Sequence, residues 1–503
     1  MDFGVKLRPH QHEPVEHLLE VLRYDRTAAD LSDTGTGKTY VAAAVSHALQ
    51  LPTLVVTPKV AINQWHRAAE HFGDTLSVTN YEMLRTGRTP FGKWDKTPPS
   101  GLHTGRYFQC ISCQCVVNFD DYQPCYCHPL GIHCIEEKKK PWKYGEFHFH
   151  PNVGMVIWDE GHRCGALDSL NADMMIASRR DVNRSLVLSA TAACSPLKMY
   201  AMGYFLDVHT GDFDMPLSGR KKFYSWACKY GVRKEPMRGL QWRVTPGQQQ
   251  IVMAEIRKQI IPARGVRVTV ADIPGFPERE ITSELYDLEE HNLIDRLYAD
   301  MEEPLQRLAD KASGDTNPEH PLTLVLRARQ KIELLKVPIA VELARDYMEK
   351  GYSVGIFVNF SETIAALRER LSSDCFIDGS AAGQRCRQKN IDRFQRHESR
   401  LIIVNNEAGG IAVDLPDLDG NHPRVGLVFP CFSAVTMRQV FGRFHRLVGR
   451  SICHYRILFA AKTVETKVHR NLQTKLNNLD ALNDLDLMPD NLCLTRAHFG
   501  GTT

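Results

Sequence analysis

The chain has 503 residues, of which 43% are hydrophobic, a composition typical of a globular protein with about two or three domains. Its 62 basic and 59 acidic side chains give a net charge of only +3, which argues against a generally polybasic protein but leaves room for a local basic groove. No apolar run reaches the ~18 residues of a membrane span, and residues 1–14 lack the apolar core of a signal peptide. We therefore expect an intracellular, cytoplasmic protein (in the host cytoplasm if its source is viral) with no membrane partner.

A glycine-rich stretch near the amino terminus, Asp33-Thr34-Gly35-Thr36-Gly37-Lys38-Thr39, has the composition of a phosphate-binding loop. Backbone N–H groups of such a loop turn toward phosphate oxygens, the Lys38 ammonium can reach the β- and γ-phosphates, and the Thr39 hydroxyl can bind Mg²⁺. Ser32 replaces the first glycine of the usual pattern, and Asp30 lies in the short strand predicted before the loop. We predict that residues 34–39 bind a nucleotide and that a helix follows at 40–49.

The region after this loop alternates between strand and helix patterns until the composition changes. Residues 53–57 are a short apolar strand, and residues 60–72 continue as a helix. Residues 86–150 are instead rich in Gly, Pro, Cys, His and aromatic residues and show no sustained period. We predict that they are an insertion into the first domain, because an acidic element that completes the nucleotide site follows them.

The insertion contains six of the chain's 14 cysteines, and in an intracellular protein such a cluster indicates metal binding rather than disulfides. A structural zinc ion takes four ligands, and Cys110 with Cys113 supplies a C-x-x-C pair. Cys125 with His128, or Cys127 with Cys134, could complete the site. With Cys115 and His133 there are eight candidates, which could hold two ions. The candidate zinc ligands are Cys110, Cys113, Cys125, Cys127, His128 and Cys134. Basic and aromatic residues at 138–144 favour contact with a nucleic acid or a partner, the alternative being a solvated charged face.

An acidic element follows the insertion. The apolar run 155–158 ends in Asp159 and Glu160, and Gly161 and His162 come next. In an ATP site the first carboxylate holds Mg²⁺ and the second orients or deprotonates the attacking water. The phosphate loop and this acidic element, in this order, predict an enzyme that hydrolyses ATP with Mg²⁺, in which Lys38, Asp159 and Glu160 are catalytic.

The remaining chain reads as a further part of this domain and a second α/β unit. An apolar strand is predicted at 185–189, and strands at 352–358, 401–404 and 424–429 belong to the second unit. The region between the units is charged and is predicted to be helical. The predicted organisation is a first domain at 1–85 and 151–218, an insertion at 86–150, an interdomain region at 219–335, a second domain at 336–460 and a helical carboxy-terminal brace at 461–503.

Two arginines near the end of the second unit, Arg443 and Arg446, are three residues apart and would share one helical face. A guanidinium group suits a transferring phosphate because it is planar, always charged and forked. Arginines supplied by a second domain complete an ATP site only when a cleft closes, which couples hydrolysis to movement. We predict that both arginines stabilise the γ-phosphate in the transition state; the alternative is a solvated basic helix face.

In this order the motifs resemble the core of helicase superfamily 2, in which two RecA-like parallel-sheet domains hold ATP. Leu7-Arg8-Pro9-His10-Gln11 resembles the adenine-recognition motif of that superfamily, with Gln11 as the residue that reads the base. Ser189-Ala190-Thr191 resembles the S-A-T motif, which links hydrolysis to the grip on nucleic acid. The resemblance implies nucleic-acid contacts at Pro58, Lys59, Asn80, Tyr81, Asn359, Gly409 and Gly410, and coupling roles for His162, Ser189, Thr191 and Gln439.

Within the superfamily the chain more closely resembles the SWI/SNF-type DNA-translocating ATPases. Residues 54–65 are similar to the second block of that family, residues 322–336 to its LxRLRQ helix, and residues 463–479 to its T-x-E-x-K brace. The T-G-T-G-K-T loop and the S-A-T motif are more similar to the DExH unwinding helicases, and residues 447–450 lack the glutamine that the SWI/SNF pattern has after its glycine.

The resemblance implies a nucleic-acid-dependent ATPase whose two RecA-like domains step along duplex DNA. The fold class is then α/β, with two parallel-sheet P-loop domains, a small zinc-binding insertion and a helical brace. One alternative is a helicase that separates DNA or RNA strands. Another, of a different class, is an ATP-switched factor that recruits a protein partner through the zinc insertion. The compact length fits a translocase of a virus or a bacterium.

Overall fold

The computed structural model describes residues 6–95, 107–110, 116–117, 135–138, 146–167, 169–190, 195–209, 219–235, 239–304, 321–406 and 413–473. The chain divides into two compact units. The first comprises Met1–Ser32, Lys38–Arg233 and Trp242–Arg267, and the second comprises Asp33–Gly37, Lys234–Gln241 and Val268–Thr503. Within the described ranges, no helix is both long enough and apolar enough to cross a membrane.

The first unit is built on a sheet of six strands in which every neighbouring pair is parallel. The strands before residue 267 are β1 (Thr27–Asp30), β2 (Thr53–Thr57), β3 (Ser77–Asn80), β4 (Gly92–Asp95), β5 (Tyr107–Cys110), β6 (Val116–Val117), β7 (Ile135–Lys138), β8 (Glu146–Phe149), β9 (Met155–Asp159), β10 (Arg184–Leu188), β11 (Val232–Glu235), β12 (Gly239–Trp242) and β13 (Gly265–Val266). The helices are α1 (Pro9–Tyr24), α2 (Lys38–Leu49), α3 (Ile62–Phe72), α4 (Tyr81–Arg85), α5 (Leu170–Asp181), α6 (Tyr200–Phe205), α7 (Gly219–Lys229) and α8 (Pro246–Ile260). Strands β1 and β2 are buried along their whole length, as expected when helices cover both faces of a parallel sheet.

The strand order of this sheet, β13-β1-β10-β9-β2-β3, positions the site. Strands β1, β10 and β9 are neighbours, and their register pairs Asp30 with Leu188 and Leu188 with Asp159. The carboxyl ends of all three strands therefore lie at one level of one edge, where open α/β sheets bind their ligands. The phosphate loop follows β1, the acidic element follows β9, and Ser189 follows β10.

The predicted insertion begins and ends with two strands that form a short antiparallel ladder. Strand β4 pairs with β8, so that Gly92 lies opposite Phe149 and Asp95 lies opposite Glu146. The two ends of the insertion are thus held side by side. Phe147 and Phe149 are buried, and the Phe149 ring lies 6.3 Å from that of Trp158, which anchors the ladder on the first sheet. Strands β6, β5 and β7 form a separate three-stranded sheet within the insertion.

The second unit contains another six-stranded sheet in which every neighbouring pair is parallel. Its strands are β14 (Arg279–Tyr286), β15 (Ser353–Val358), β16 (Phe376–Ile377), β17 (Leu401–Asn405), β18 (Arg424–Val428) and β19 (Cys453–Ala460), in the order β14-β19-β18-β15-β17-β16. Its helices are α9 (His291–Ala299), α10 (Pro321–Leu335), α11 (Val337–Glu349), α12 (Ser361–Leu371), α13 (Ala381–Gln395), α14 (Ala434–Phe441) and α15 (Glu465–Gln473). Successive residues of β15 enter different cores, Phe357 on one face and Ile356 with Val358 on the other. The two parallel sheets with their helices confirm the predicted α/β fold with two parallel-sheet domains.

The region 219–335 differs from the helical interdomain segment that the sequence predicts. Strand β13 within it extends the first sheet, and β14 extends the second. The physical reason is that β13 has only two residues and β14 is an edge strand, paired on one side and only partly buried. An edge strand does not need the continuous apolar run by which central parallel strands are recognised.

Candidate active site

The phosphate loop turns through two glycines between β1 and α2. Gly35 and Gly37 have φ of 88° and 90°, a left-handed backbone that favours glycine. Helix α2 begins at Lys38, whose Nζ donates a hydrogen bond to the Ser32 carbonyl at 2.8 Å. The Thr36 hydroxyl donates to the Asp33 carbonyl at 2.9 Å. The loop thus holds its own shape, and Thr39 lies in the first turn of the helix, where backbone N–H groups and the helix dipole favour an anion.

Asp30 is a residue of this site whose role the sequence did not reveal. It is buried, and its Oδ1 accepts a hydrogen bond from the Ser32 backbone N–H at 3.0 Å. Burial raises the pKa of Asp30, and the nearby Lys38 ammonium opposes that rise. Asp30 and Lys38 therefore hold the Ser32 peptide from both sides, at the position where the usual pattern has a glycine. A lone carboxylate in an otherwise apolar strand was the available signal.

Asp159, the predicted Mg²⁺ ligand, is half-buried at the end of β9 and fixed by hydrogen bonds. Its Oδ2 accepts from the Thr57 hydroxyl at 2.7 Å and from the Trp65 indole N–H at 2.9 Å. Burial, followed by the Glu160 charge, raises the pKa of Asp159, whereas the two hydrogen bonds and the Lys38 ammonium lower it. The carboxylate is thus oriented by neutral donors, and Lys38 is close enough to influence its ionisation.

Glu160 occupies a strained position directly after this strand. Its φ is +55°, a left-handed conformation that is uncommon for a residue other than glycine and that is found at functional sites. The next residue must be glycine, because a Cβ on Gly161 would lie 2.2 Å from Val187 Cγ2. His162 Nδ1 lies 3.3 Å from Glu160 Oε2 and 3.5 Å from the Ser189 hydroxyl oxygen. The acidic element is therefore joined through His162 to the end of β10, and a coupling role for His162 and Ser189 is a prediction compatible with this chain of contacts.

Gln11 lies in the first turn of α1, where it caps the helix. Its Oε1 accepts a hydrogen bond from the Arg8 backbone N–H at 2.9 Å, and its side chain is buried. The adenine-reading role of Gln11 stays a prediction.

The predicted nucleic-acid contacts of the first unit separate into an exposed residue and buried ones. Lys59 is exposed in the 3₁₀ turn after β2, whereas Pro58 is buried. Asn80 is buried, and its Oδ1 accepts from the Met83 N–H at the start of α4. Tyr81 is also buried and donates its hydroxyl to the Asp159 carbonyl at 2.7 Å. The structure contradicts a surface contact for Tyr81, because this side chain is used to support the carboxylate strand.

Asn359 of the second unit is engaged by the protein itself. Its amide donates to Glu333 Oε2 at 2.6 Å and to the Pro430 carbonyl at 3.1 Å. Glu333, which is buried, also accepts from the backbone N–H groups of Asn359 and Phe360, and burial raises the pKa of this carboxyl. Glu333 was missed by the sequence reasoning, and its signal was an acidic residue within the LxRLRQ-like helix. A direct nucleic-acid contact by Asn359 is not favoured by this geometry.

Arg443 and Arg446 lie in different surroundings. The prediction that they share one helical face is wrong. Helix α14 ends at Phe441, so Arg443 and Arg446 follow it in a turn. Arg443 is 4% exposed and donates to the Val413 carbonyl at 3.1 Å, which makes it part of the interior. The Arg446 side chain is 14% exposed and donates to Asp414 Oδ1 at 2.7 Å. A Cβ on Gly35 would lie 3.3 Å from Arg446 Cδ, so Arg446 lies beside the glycine loop.

Several predicted residues cannot be placed. Cys113, Cys125, Cys127, His128 and Cys134 lie outside the described residues, and Cys110 is the last residue of β5. Thr191, Gly409 and Gly410 also lie outside them. Gln439 is half-buried in α14, and its coupling role is untested. The described residues thus bring together Lys38, Thr39, Asp159 and Glu160, which fit a nucleotide and Mg²⁺ by their chemistry.

Comparison with known proteins gives a family model that matches the first part of the chain and a curated relative that matches nearly all of it. Residues 4–193 match the family model "Type III restriction enzyme, res subunit". A curated protein of Acanthamoeba polyphaga mimivirus, named "Putative ATP-dependent RNA helicase L364", is 29% identical over 495 residues, which cover 96% of this chain and 85% of that protein.

Solved structures similar to this chain include two nucleic-acid complexes. The Sulfolobus solfataricus SWI2/SNF2 ATPase core in complex with dsDNA is 14% identical, with coverage of 97% of this chain and 94% of that one and a TM-score of 0.35. S. cerevisiae Dbp5 bound to RNA and ADP BeF3 is 10% identical, with coverage of 93% and 87% and a TM-score of 0.44.

Proposed function

We propose that the chain is an ATPase of helicase superfamily 2 that uses ATP hydrolysis to move along double-stranded DNA. The hydrolytic half of this proposal rests on the first sheet. Lys38 and Thr39 follow β1, and Asp159 and Glu160 follow β9, at one edge of that sheet. The cation for the phosphates, the Mg²⁺ ligands and the base are therefore represented among these four residues.

The chain's own residues divide these roles as follows. Lys38 and the N–H groups of the glycine loop bind the β- and γ-phosphates, and Thr39 and Asp159 hold the Mg²⁺ ion. The Mg²⁺ ion, when bound, neutralises the charge that develops on the phosphate oxygens. Glu160 orients the attacking water and accepts its proton, and His162 holds the Glu160 carboxylate at 3.3 Å.

The proposal of a DNA translocase is supported by one observation in the second unit. Lys336, the residue directly after helix α10 and the last of the LxRLRQ-like stretch, forms an ion pair of 2.6 Å with Glu465 of the brace helix α15. The two stretches that most resemble the SWI/SNF-type translocases are thus parts of one buried assembly. Glu333 of α10 also binds the backbone that follows β15.

The test is steady-state ATP hydrolysis with no polymer, with single-stranded DNA, with duplex DNA and with RNA, at one fixed salt concentration, because affinity for the backbone depends strongly on salt. Strong stimulation by duplex DNA, with none in the Glu160→Gln variant, is the expected result. Stimulation only by single strands or by RNA would overturn the duplex proposal. Hydrolysis that responds to none of the polymers would direct the search to a protein partner.

A helicase that separates RNA strands is the second candidate, because the mimiviral relative carries the name of an RNA helicase. A fluorescent strand-displacement assay on RNA and DNA duplexes with a single-stranded tail distinguishes the two candidates. A translocase on intact duplex DNA hydrolyses ATP on a blunt duplex without releasing a strand. A helicase releases the labelled strand and needs the tail.

We also propose that the cysteine cluster of the insertion binds structural zinc. The support is the six cysteines within this segment and the β4–β8 ladder that brings its two ends together. A segment of this size with little periodic apolar pattern needs a bound metal to fold on its own. Zinc content of the purified chain, compared with that of a Cys110→Ser and Cys113→Ser variant, tests this proposal; equal zinc content would contradict it.

A further inference from the structure

Four potential metal ligands converge in the second unit, away from the strand ends that carry Asn359. His397 lies between α13 and β17, and the other three, Asp417, Asp419 and His422, lie in the connection that leads to β18. Strands β17 and β18 both run parallel to β15, so the amino-terminal ends of these strands lie on the same side of the sheet. One ligand atom from each of the four side chains lies within 4.8 Å of the others.

Two of the separations between these atoms equal those found in a small tetrahedral metal site. Asp419 Oδ2 lies 3.3 Å from His397 Nε2 and 3.3 Å from His422 Nδ1. In a tetrahedral site with bonds of about 2.0–2.1 Å, neighbouring ligand atoms are about 3.3 Å apart. The two separations from Asp419 Oδ2 therefore equal those between ligands of one zinc-sized ion, and all four ligand atoms lie within 4.8 Å of one another.

The fourth ligand is a preorganised carboxylate. Asp417 is 2% exposed, and its two oxygens accept backbone N–H groups from Asp419 at 3.4 Å, Gly420 at 3.2 Å and His422 at 3.2 Å. An ionised carboxylate has about four lone-pair positions, so one position of Asp417 remains for a cation. The buried group is held in place by the loop and needs no rearrangement to bind.

The two imidazoles lie face to face. The rings of His397 and His422 are stacked with centroids 3.5 Å apart and an angle of 14° between their planes. Two protonated rings at this distance would repel each other, and neutral imidazole is the form that binds metals. The buried Arg424 guanidinium, which donates to the Pro416 carbonyl at 3.2 Å, is the neighbouring positive charge and offsets one of the two carboxylates. The other carboxylate leaves a net negative charge at the cluster.

We propose that His397, Asp417, Asp419 and His422 bind one divalent transition-metal ion, with Zn²⁺ the best fit to two imidazoles and two carboxylates. Imidazole ligands disfavour Mg²⁺ and Ca²⁺, which prefer oxygen. This site is independent of the ATP site and of the cysteine cluster. It would fasten the loop 417–422 to the turn between α13 and β17, at the edge of the second sheet.

The test compares bound zinc in the full chain with that in a double variant, His397→Asn and His422→Asn. Asparagine suits position 397 because His397 has φ of +62°, a left-handed conformation that asparagine tolerates. The matched control is His454→Asn, which removes an imidazole paired with Glu280 elsewhere in the same unit. All three proteins are stripped with a chelator, equilibrated with metal-buffered Zn²⁺ and measured by elemental analysis, so that any zinc on the cysteines contributes equally.

The expected result is one zinc equivalent fewer per chain in the double variant than in the full chain and in the control, with affinity at this site at least ~100-fold weaker. With Co²⁺ as the probe, the difference spectrum between full chain and double variant should show the visible bands of a tetrahedral site without thiolate charge transfer. Equal zinc content in the three proteins would overturn the proposal. The proposal would also be overturned if equimolar Mg²⁺ displaced the zinc equivalent that distinguishes the full chain from the double variant. Such displacement would exclude the imidazoles as ligands. Matching far-UV circular dichroism of the stripped proteins shows that the variant is folded.

Discussion

Lys336 and Glu465 are separated by 129 residues in the sequence, and their side chains form an ion pair of 2.6 Å in the interior of the second unit. The two side chains are only 4% and 2% exposed. Glu465 also accepts hydrogen bonds from the Tyr298 hydroxyl at 2.8 Å and from the Ala460 N–H at 2.7 Å. The carboxylate thus has three partners, and it connects helix α15 to helix α9, to the turn between α10 and α11, and to the end of β19.

Replacing Glu465 with alanine should lower the free energy of unfolding by about 3–5 kcal/mol, because Lys336 would remain buried without its partner. Urea denaturation followed by far-UV circular dichroism measures this loss. All six tryptophans of the chain lie in the first unit, so indole fluorescence monitors that unit separately. The control is Lys462→Ala, which breaks a pair with Asp287 that is 64% exposed on both sides and should cost less than about 1 kcal/mol. Equal effects of the two variants would contradict a dominant role for the buried pair.

Replacing Glu160 with glutamine should lower kcat by about 10²–10⁴-fold while ATP binding persists, because the amide cannot accept the proton of the attacking water. Lys38→Ala should lose both turnover and nucleotide affinity, since the proposed site has Lys38 contact the phosphates themselves. Turnover and binding of a fluorescent ATP analogue separate the two outcomes. Lys350→Ala, which removes an exposed charge paired with Asp346, is the control for unspecific effects. Wild-type turnover by either site variant would refute the assignment of these residues.

The pH dependence of hydrolysis should report the ionisation of Asp159. Mg²⁺ needs the ionised carboxylate, and burial raises the pKa of Asp159, so activity should fall as pH decreases through that raised value. The Thr57 hydrogen bond lowers this pKa. Thr57→Val should therefore raise it further and move the acidic limb of kcat/KM to higher pH. Thr53→Val, on the same strand but bonded to Ser46, should leave the limb in place. A downward shift in Thr57→Val would contradict this reasoning.

The sequence was sufficient for the parts of the site that depend on short, local patterns. Lys38, Asp159 and Glu160 could be predicted to lie near one another because each lies at or beyond the carboxyl end of a strand, and the parallel strands of one sheet have their carboxyl ends on the same side. Their catalytic roles stay predictions. Tyr81 could not be assigned correctly, because its motif does not reveal that the hydroxyl reaches the carbonyl of a residue 78 positions away.

Long-range partners explain the other differences. Glu333 is recognisable only once Asn359, 26 residues away, is placed beside it. The prediction that Arg443 and Arg446 share a helical face was wrong because the helix ends with a cap at Gly442. A spacing of three residues does not reveal where a helix ends. A local sequence pattern does not show which residues distant in the sequence pack together.

Arg446 and Arg443 form a matched pair that tests which arginine serves the phosphates. Arg446 lies beside Gly35, so Arg446→Ala should lower kcat by about 10³-fold or more with little change in unfolding. Arg446→Lys should recover little of the loss, because lysine keeps the charge but not the forked geometry. Arg443→Ala should instead lower the free energy of unfolding by about 1–3 kcal/mol, because the buried Val413 carbonyl loses its donor. Turnover measured beside urea denaturation distinguishes the two. If Arg443→Ala stopped hydrolysis while its stability was unchanged, the catalytic role would belong to Arg443, and the position of Arg446 beside the loop would serve only to hold Asp414.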